Sequence, residues 1–546
     1  RGVSCDAELN LSLDCLLPVR SLAGVDAASE LLAQHRAAGR VLVIGDFDAD
    51  GATSTALVVR GLRAMQFAHV DFLVPNRFRF GYGLTPEIVA LAASRRPTLI
   101  VTVDNGVSSL AGVEAARNLG VPVLVTDHHL PGAVLPRAEV LVNPNLRGSQ
   151  FGSSALAGVG VAFYVIAALA RMLAVKDFRC ADLLDLVALG TVADVVPLDR
   201  NNRILVAQGL RRIRAGRCVP GIRALLESAG RRFEQITAAD LGFAVAPRLN
   251  AAGRLTDMSV GIACLLTDDL SEAARLAGML AALNEERREI EQRMQVDAVE
   301  IAAKIRFGED GKESLGLCLF DESWHQGLVG LVAGRIKDRW HRPVIAFARA
   351  ADGSLRGSAR SISGINIRDA LDSIATRNPG LIDKFGGHAM AAGLSLAEEG
   401  LGAFKQAFAA EIAARADTAS LQGVIHSDGE LSAVELCLDT ARALRGAGPW
   451  GQGFPEPVFD GDFQLRATRI VGDKHLKLQL EAVAGVAGGD CIEAIAFGYV
   501  GGADEDSRLR SGARVRIAYR LEVNDYRGTE RVQLNCQHVS FASSAH

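Results

Sequence analysis

The sequence has no excess of positive charge: 59 Lys and Arg against 63 Asp and Glu leave a formal net charge of −4. The field of the whole chain would not draw in a polyanion, so any contact with nucleic acid has to come from local basic surface. It also has no Cys-x-x-Cys pair. Nine scattered cysteines, an odd number, argue against a disulfide framework and for a reducing compartment, the cytosol. No basic segment followed by an apolar run opens the chain, so no signal peptide is visible, and the start at Arg1 is read as trimming. Low-complexity tracts and internal repeats are missing. Residues 148–170 are uncharged and end in an apolar run, but their richness in Ala, Gly and Ser suits a tightly packed buried helix better than a membrane span.

What is present is an ordinary globular composition, 49% apolar and 22% charged, over 546 residues, which is enough for three or four domains. Short β-branched runs at residues 41–44, 70–74, 99–103 and 121–125 alternate with helical spacing, the rhythm of a parallel sheet. A mainly helical section follows to about residue 215, and residues 216–268 mix short helices and loops. A long connecting helix is expected from 269 to about 305, opened by a capping-box pattern of Asp269 and Glu272. A second α/β unit has strands near 315–320 and 344–347. Five further strand-like runs, at 458–465, 476–480, 492–497, 515–521 and 532–534, match a small, partly open barrel such as the OB-fold.

The chemistry is carried by three clusters that each follow a predicted strand. Asp46, Asp48 and Asp50 sit in a Gly-Asp-Phe-Asp-Ala-Asp-Gly turn, Asp104 opens Asp-Asn-Gly, and Asp127-His128-His129 follows the fourth strand. Each alone is an ordinary turn or surface motif, but ligands of an open parallel sheet collect at the carboxyl ends of its strands, so the three should converge. Asp194, after an apolar helix, either completes the ring or merely caps that helix. So many carboxylates repel unless cations neutralise them. Carboxylate oxygens with one or two imidazoles suit Mn²⁺ or Mg²⁺, whereas a closed zinc site would use thiolates that this region lacks. Two such ions roughly 3.5–4 Å apart would activate water against a phosphodiester.

These residues resemble the motifs of the DHH phosphoesterase superfamily, in the expected order. Phe385 to Gly393, with Gly386-Gly387-His388, resembles the hallmark of its DHHA1 companion domain. Three stretches resemble the RecJ exonuclease branch: residues 247–254 around Arg248, residues 325–330, and residues 448–457, Gly-Pro-Trp-Gly-Gln-Gly-Phe-Pro-Glu-Pro. The resemblance implies a parallel-sheet DHH domain (1–215), a helical connector with the long helix (216–310), a smaller α/β DHHA1 domain (311–420) and a C-terminal OB-fold barrel (421–546). It further implies 5′-to-3′ hydrolysis of single-stranded DNA to mononucleotides, in recombination and repair. Asp48 and Asp104, aided by Asp46, would hold one metal; Asp50, Asp104, His128 and Asp194 would hold the other, with Asp104 bridging. His129 would stand near the scissile phosphate, either as a supporting group behind the ligands or as a proton donor.

Substrate contacts are expected from Ser358 and Arg360, which resemble a 5′-phosphate pocket, with Arg77, Arg248, Gly387 and His388; exposed cationic surface or a turn with a buried histidine are the plainer readings. On the barrel, Arg514, Arg516 and Arg520 alternate with apolar residues, and Tyr526 lies nearby, which suits single-strand binding, although solubility alone would also place charges there. The expected partners are single-stranded DNA with a 5′ end, a single-strand-binding protein and a helicase, and the chain is expected to act as a monomer. Two other functions fit less well. Phosphodiesterases for short oligonucleotides or cyclic dinucleotides are usually shorter and lack the barrel, and a non-catalytic DNA-binding scaffold would not need the acids.

Overall fold

A computed structural model of the chain describes residues 1–76, 80, 82–306, 314–417, 420–472, 475–482, 491–499, 510–525 and 528–541. Arg77 and Tyr526, named above, lie outside these residues. The chain forms two compact units, one of Arg1–Pro247, Met258–Ala277 and Ile425–His546, the other of Arg248–Asp257 and Gly278–Val424.

In the first unit five parallel strands, β1 (Arg40–Ile44), β2 (His69–Leu73), β3 (Leu99–Val103), β4 (Val123–Thr126) and β5 (Val140–Val142), lie in the order β2-β1-β3-β4-β5. Every residue of β3 and β4 is buried, as a parallel sheet covered on both faces requires, which is why these strands read as unbroken apolar runs. β4 starts at 123 rather than 121 because Pro122 offers the ladder only its carbonyl, which accepts from Ile100 N at 3.1 Å. β5, three residues long, is too short for any periodicity to reveal. Helices Ala49–Ala64, Gly158–Met172 and Leu184–Ala193 pack on one another beside this sheet. The helix that begins in the uncharged stretch, Gly158–Met172, is buried from Gly158 to Ile166 and exposed at Arg171 and Met172, and no helix among the described residues is long and apolar enough to cross a membrane.

The long helix runs Leu270–Arg306, close to its expected bounds. Asp269 Oδ1 accepts from Glu272 N at 2.9 Å, but the Glu272 carboxylate goes to Arg275 at 2.7 Å, so only one half of the expected capping box is seen. In the second unit β6 (Leu317–Phe320), β7 (Val344–Arg349), β8 (Leu355–Arg360), β9 (Lys384–Gly387) and β10 (Ala391–Leu396) form a sheet in the order β6-β7-β8-β10-β9. β6 and β7 are parallel and the remaining pairs antiparallel. β8 to β10 went unread in the sequence because Gly, Ala and Ser replace the β-branched side chains that mark strands.

The last section, in the first unit, is a barrel of β11 (Phe459–Val471), β12 (His475–Ala482), β13 (Ile492–Ala496), β14 (Arg514–Asn524) and β15 (Arg531–Phe541). It is closed, in the order β11-β12-β13-β15-β14, rather than partly open. Closure follows from β11, whose 13 residues pair with β14 over Phe459–Gln464 and with β12 over Phe463–Val471, the latter through an irregularity between Leu465 and Ala467. The stretch 449–457 folds back onto the helical part of the same unit: Leu198 N donates to Gln452 O at 2.6 Å, and the Arg203 guanidinium lies 4.0 Å from the Phe454 ring centre.

Candidate metal centre

The carboxylates emerge where strands stop. β1 ends at Ile44, and Asp48 caps the next helix by accepting from Gly51 N at 2.9 Å. Gly51 is required because a β-carbon there would stand 2.6 Å from that of Asp46. Asp50, in the first turn, turns inward and accepts from Gly158 N at 2.6 Å and Val159 N at 2.9 Å, so an acid neutralises the amino end of the helix Gly158–Met172. After β3 the chain enters the left-handed region at Asp104, φ 62°, an uncommon conformation for a non-glycine residue that costs on the order of 1–3 kcal/mol and concentrates at functional sites. Asn105 Nδ2 holds this turn by donating to Ile44 O at 3.2 Å and Val103 O at 2.9 Å, tying the ends of β1 and β3 together. Asp194 ends the helix Leu184–Ala193, followed by Val195 at φ 61°.

All the expected ligands in this unit come together. Donor atoms of Asp46, Asp48 and Asp104 lie within 4.8 Å of one another, as do those of Asp50, His128 and Asp194, and those of Asp104, His128 and His129. His128 Nε2 is 3.1 Å from Asp104 Oδ1 and 3.5 Å from Asp194 Oδ2. Burial, together with the charges of Asp194 and Asp48, pushes the Asp50 carboxyl well above the usual range, and burial with Asp50, Asp48, Asp46 and Asp194 does the same to Asp104. Asp194 is raised to about 7, by burial and then by Asp48. Asp104 Oδ1 and Asp194 Oδ2 are buried without a well-formed hydrogen bond among the described residues. Such mutual destabilisation is what a cation relieves, and the oxygen-rich donor set with imidazole fits Mn²⁺ or Mg²⁺.

His129 is held differently. Its Nδ1 lies 2.8 Å from Asp127 Oδ1, and Asp127, itself buried, also accepts from Val107 N, His128 N and His129 N at 2.8, 2.7 and 3.0 Å. Burial works against the His129 charge, but the bond to Asp127 and its charge outweigh it and raise His129 to about 9. The neighbouring carboxylates favour the imidazolium at neutral pH.

The sequence reading named Asp127 without a role and passed over several other side chains here. Asp127 orients rather than ligates, Asn143 Nδ2 and Asn145 Nδ2 clamp the His129 and His128 carbonyls at 2.9 and 2.6 Å, and the Tyr82 hydroxyl donates to Asp104 O at 3.3 Å. Two glycines matter as much. A methyl group on Gly158 would stand 2.6 Å from Asp104 Cβ and Oδ1, and one on Gly190 would stand 2.8 Å from Asp50 Oδ1. No local pattern announces them, since the contacts span tens of residues.

In the other unit, Arg360 Nη1 donates to Ser358 Oγ at 3.0 Å and to Ala359 O at 2.8 Å on β8. A β-carbon on Gly330 would lie 2.8 Å from Ser358 Oγ, so that glycine leaves the pair room. Burial pushes the Arg360 guanidinium down. Gly387, φ 141°, and His388 form the turn joining β9 to β10, and His388 is exposed, against the buried-histidine reading. Arg248 lies on the helix Ala246–Leu255. On the barrel, Arg514 and Arg516 face outward as expected, but Arg516 is paired with Asp460 at 2.7 Å and Arg520 with Glu456 at 3.7 Å, so that face is partly neutralised.

Comparison with known proteins agrees with this architecture. Models of the DHH family N-terminal domain, the DHHA1 domain and the RecJ OB domain match residues 40–191, 313–414 and 427–538. The single-stranded-DNA-specific exonuclease RecJ of Dickeya dadantii is 54% identical over 99% of this chain and 94% of its own length. That of Escherichia coli is 53% identical over 98% and 93%. The crystal structure of RecJ from Thermus thermophilus in complex with Mn²⁺ superposes with a TM-score of 0.80 at 31% identity, covering 98% of this chain and 74% of that one. Its complex with Mg²⁺ gives 0.74 at 30% identity, covering 98% and 72%. With such identity sustained along nearly its whole length, the chain belongs to the RecJ family of single-stranded-DNA-specific exonucleases.

Proposed function

We infer that this protein is a single-stranded-DNA-specific exonuclease that hydrolyses phosphodiester bonds 5′ to 3′ and releases 5′-mononucleotides, in recombination and repair. The observation that carries this reading is the gathering of Asp46, Asp48, Asp50, Asp104, His128 and Asp194 at the carboxyl ends of β1, β3 and β4 and the end of the helix Leu184–Ala193. Asp46, Asp48 and Asp104 would hold one Mn²⁺ or Mg²⁺, and Asp50, His128 and Asp194 the second, with Asp104 shared. When bound, a pair of such ions polarises the phosphodiester and supplies hydroxide at neutral pH.

The chain's own residues do the rest. Asp127 fixes the His129 ring and keeps it protonated, so that His129 bonds a phosphate oxygen or donates a proton to the leaving oxygen. Asp50 spans two tasks, since the same carboxylate caps the helix Gly158–Met172 and faces His128 and Asp194. Ser358 and Arg360 supply hydroxyl and guanidinium donors for a terminal 5′-phosphate, aided by Arg77, Arg248, Gly387 and His388. Arg514, with Arg516, Arg520 and Tyr526, would guide the strand along the barrel. The domains would divide at 215, 310 and 420, and the enzyme would act as a cytoplasmic monomer alongside a single-strand-binding protein and a helicase.

The decisive test is Asp104→Ala assayed with end-labelled single strands of each polarity in Mn²⁺. Hydrolysis should vanish while single-strand binding stays largely intact, and the wild type should release mononucleotides from the 5′ end. Near-normal turnover by the variant would overturn the shared-ligand role, and release from the 3′ end would overturn the polarity.

A further inference from the structure

The motif at residues 448–457 has no part in the metal centre or in the Ser358–Arg360 pair. It forms one wall of a cavity of about 380 Å³ whose opposite wall is the helix Arg200–Arg214 with residues 237–239. That volume lies within the range of small-ligand pockets. Four guanidinium groups, those of Arg203, Arg211, Arg214 and Arg445, border it.

The hydrogen bonds these arginines make go to neutral carbonyls. Arg214 Nε donates to Ile236 O at 2.8 Å, Arg445 Nη2 to Gln235 O at 2.8 Å, and Arg203 Nη2 to Glu8 O at 3.2 Å. Among the described residues, none of the four has a carboxylate within 4.0 Å. The acid in the lining, Glu456, pairs instead with Arg520 at 3.7 Å, and burial holds its carboxyl above the usual range. Burial and the neighbouring charges of Arg445 and Arg211 push Arg214 down, and the charge of Asp240 offsets them only in part.

The aromatic rings in the wall are already engaged. Trp450 stacks on Phe454 at 5.2 Å, and the Arg203 guanidinium lies over the Phe454 ring at 4.0 Å. The cavity therefore selects by charge and forked hydrogen bonds rather than by stacking on a base.

We propose that this cavity is an anion site that takes a phosphate group, bound by Arg211, Arg214 and Arg445 with Arg203 fixed beside them. The phosphate belongs either to the backbone of a strand or to a released mononucleotide, because both present the same oxygens.

Crystals of the full chain soaked in tungstate, a phosphate mimic with a strong anomalous signal, should show tungsten in the cavity; a peak at Ser358 and Arg360 with none here would overturn the proposal. The double variant Arg211→Glu, Arg445→Glu should lose that peak while keeping its melting temperature and its turnover of short strands. Arg211→Ala, which only shortens an exposed side chain, should weaken the peak in the same crystals, and it covers the case in which the double variant fails to fold. If the site holds a strand, the double variant binds long single strands roughly tenfold more weakly, from the loss of charged hydrogen bonds. If it holds product, wild type binds a 5′-mononucleotide in the cavity and the variant does not. A double variant equal to wild type towards tungstate, long strands and mononucleotide alike sinks the idea.

Discussion

The metal centre depends on residues with no charge of their own. Gly158 stands against Asp104 and Gly190 against Asp50 closely enough that a single added carbon must displace a carboxylate. Gly158→Ala should therefore leave the fold intact, since alanine favours a helix, yet weaken Mn²⁺ binding by calorimetry at least tenfold and cut turnover further. An alanine variant with wild-type Mn²⁺ affinity would show that the carboxylate has room to spare. Val195 is the opposite case, a β-branched residue in the left-handed region and exposed, immediately after Asp194. Val195→Gly should relieve roughly 1 kcal/mol of strain and raise the melting temperature. A fall in melting temperature would mean that the loss of chain stiffness in the unfolded state outweighs the strain.

At the scale of elements, the second unit contains a buried charge with a defined pH signature. Glu411, 3% exposed on the helix Leu401–Arg415, accepts from Arg377 Nη1 at 2.7 Å and Arg415 Nε at 2.6 Å. Burial opposes its ionisation, but the Arg415 bond and the other partners prevail and hold the carboxyl below the usual range. A carboxyl lowered in the folded state adds stability above its unfolded value, and that stability is lost as pH falls through the folded one. Glu411→Gln should thus cost about 1–3 kcal/mol at pH 7, and the gap to wild type should close under acid, once the wild-type carboxyl is protonated. Urea titrations at both ends of that range would decide it, and a gap independent of pH would assign the loss to packing.

For the whole molecule, the barrel is not an appendage. Leu436, Ala441 and Leu444, on and just before the helix Leu438–Ala447, pack into the barrel core, while Gln452 and Phe454 contact Leu198 and Arg203 in the helical part of the same unit. Deleting residues 421–546 should weaken affinity for long strands and keep cleavage of short ones. It should also lower the melting temperature of the catalytic part by several degrees, because it uncovers the helix Arg200–Arg214. An unchanged melting temperature in the truncated protein would show that the packing of residues 449–457 contributes little.

The acidic and imidazole clusters and most of the sheet rhythm were legible in the sequence because they obey short rules. Buried parallel strands are unbroken β-branched runs, and the turns that follow them carry the acids, so the convergence of Asp46, Asp48, Asp50, Asp104 and His128 could be expected from position, while the resemblance supplied their individual roles. Tertiary structure decided whatever depends on residues far apart in the chain. It put Asp194 beside His128, gave Asp127 the task of charging His129, set Gly158 against Asp104, and closed the barrel by pairing β14 with β11. Those outcomes rest on clearances of tenths of an ångström and on neighbouring charges, which exist only once separate segments have packed together.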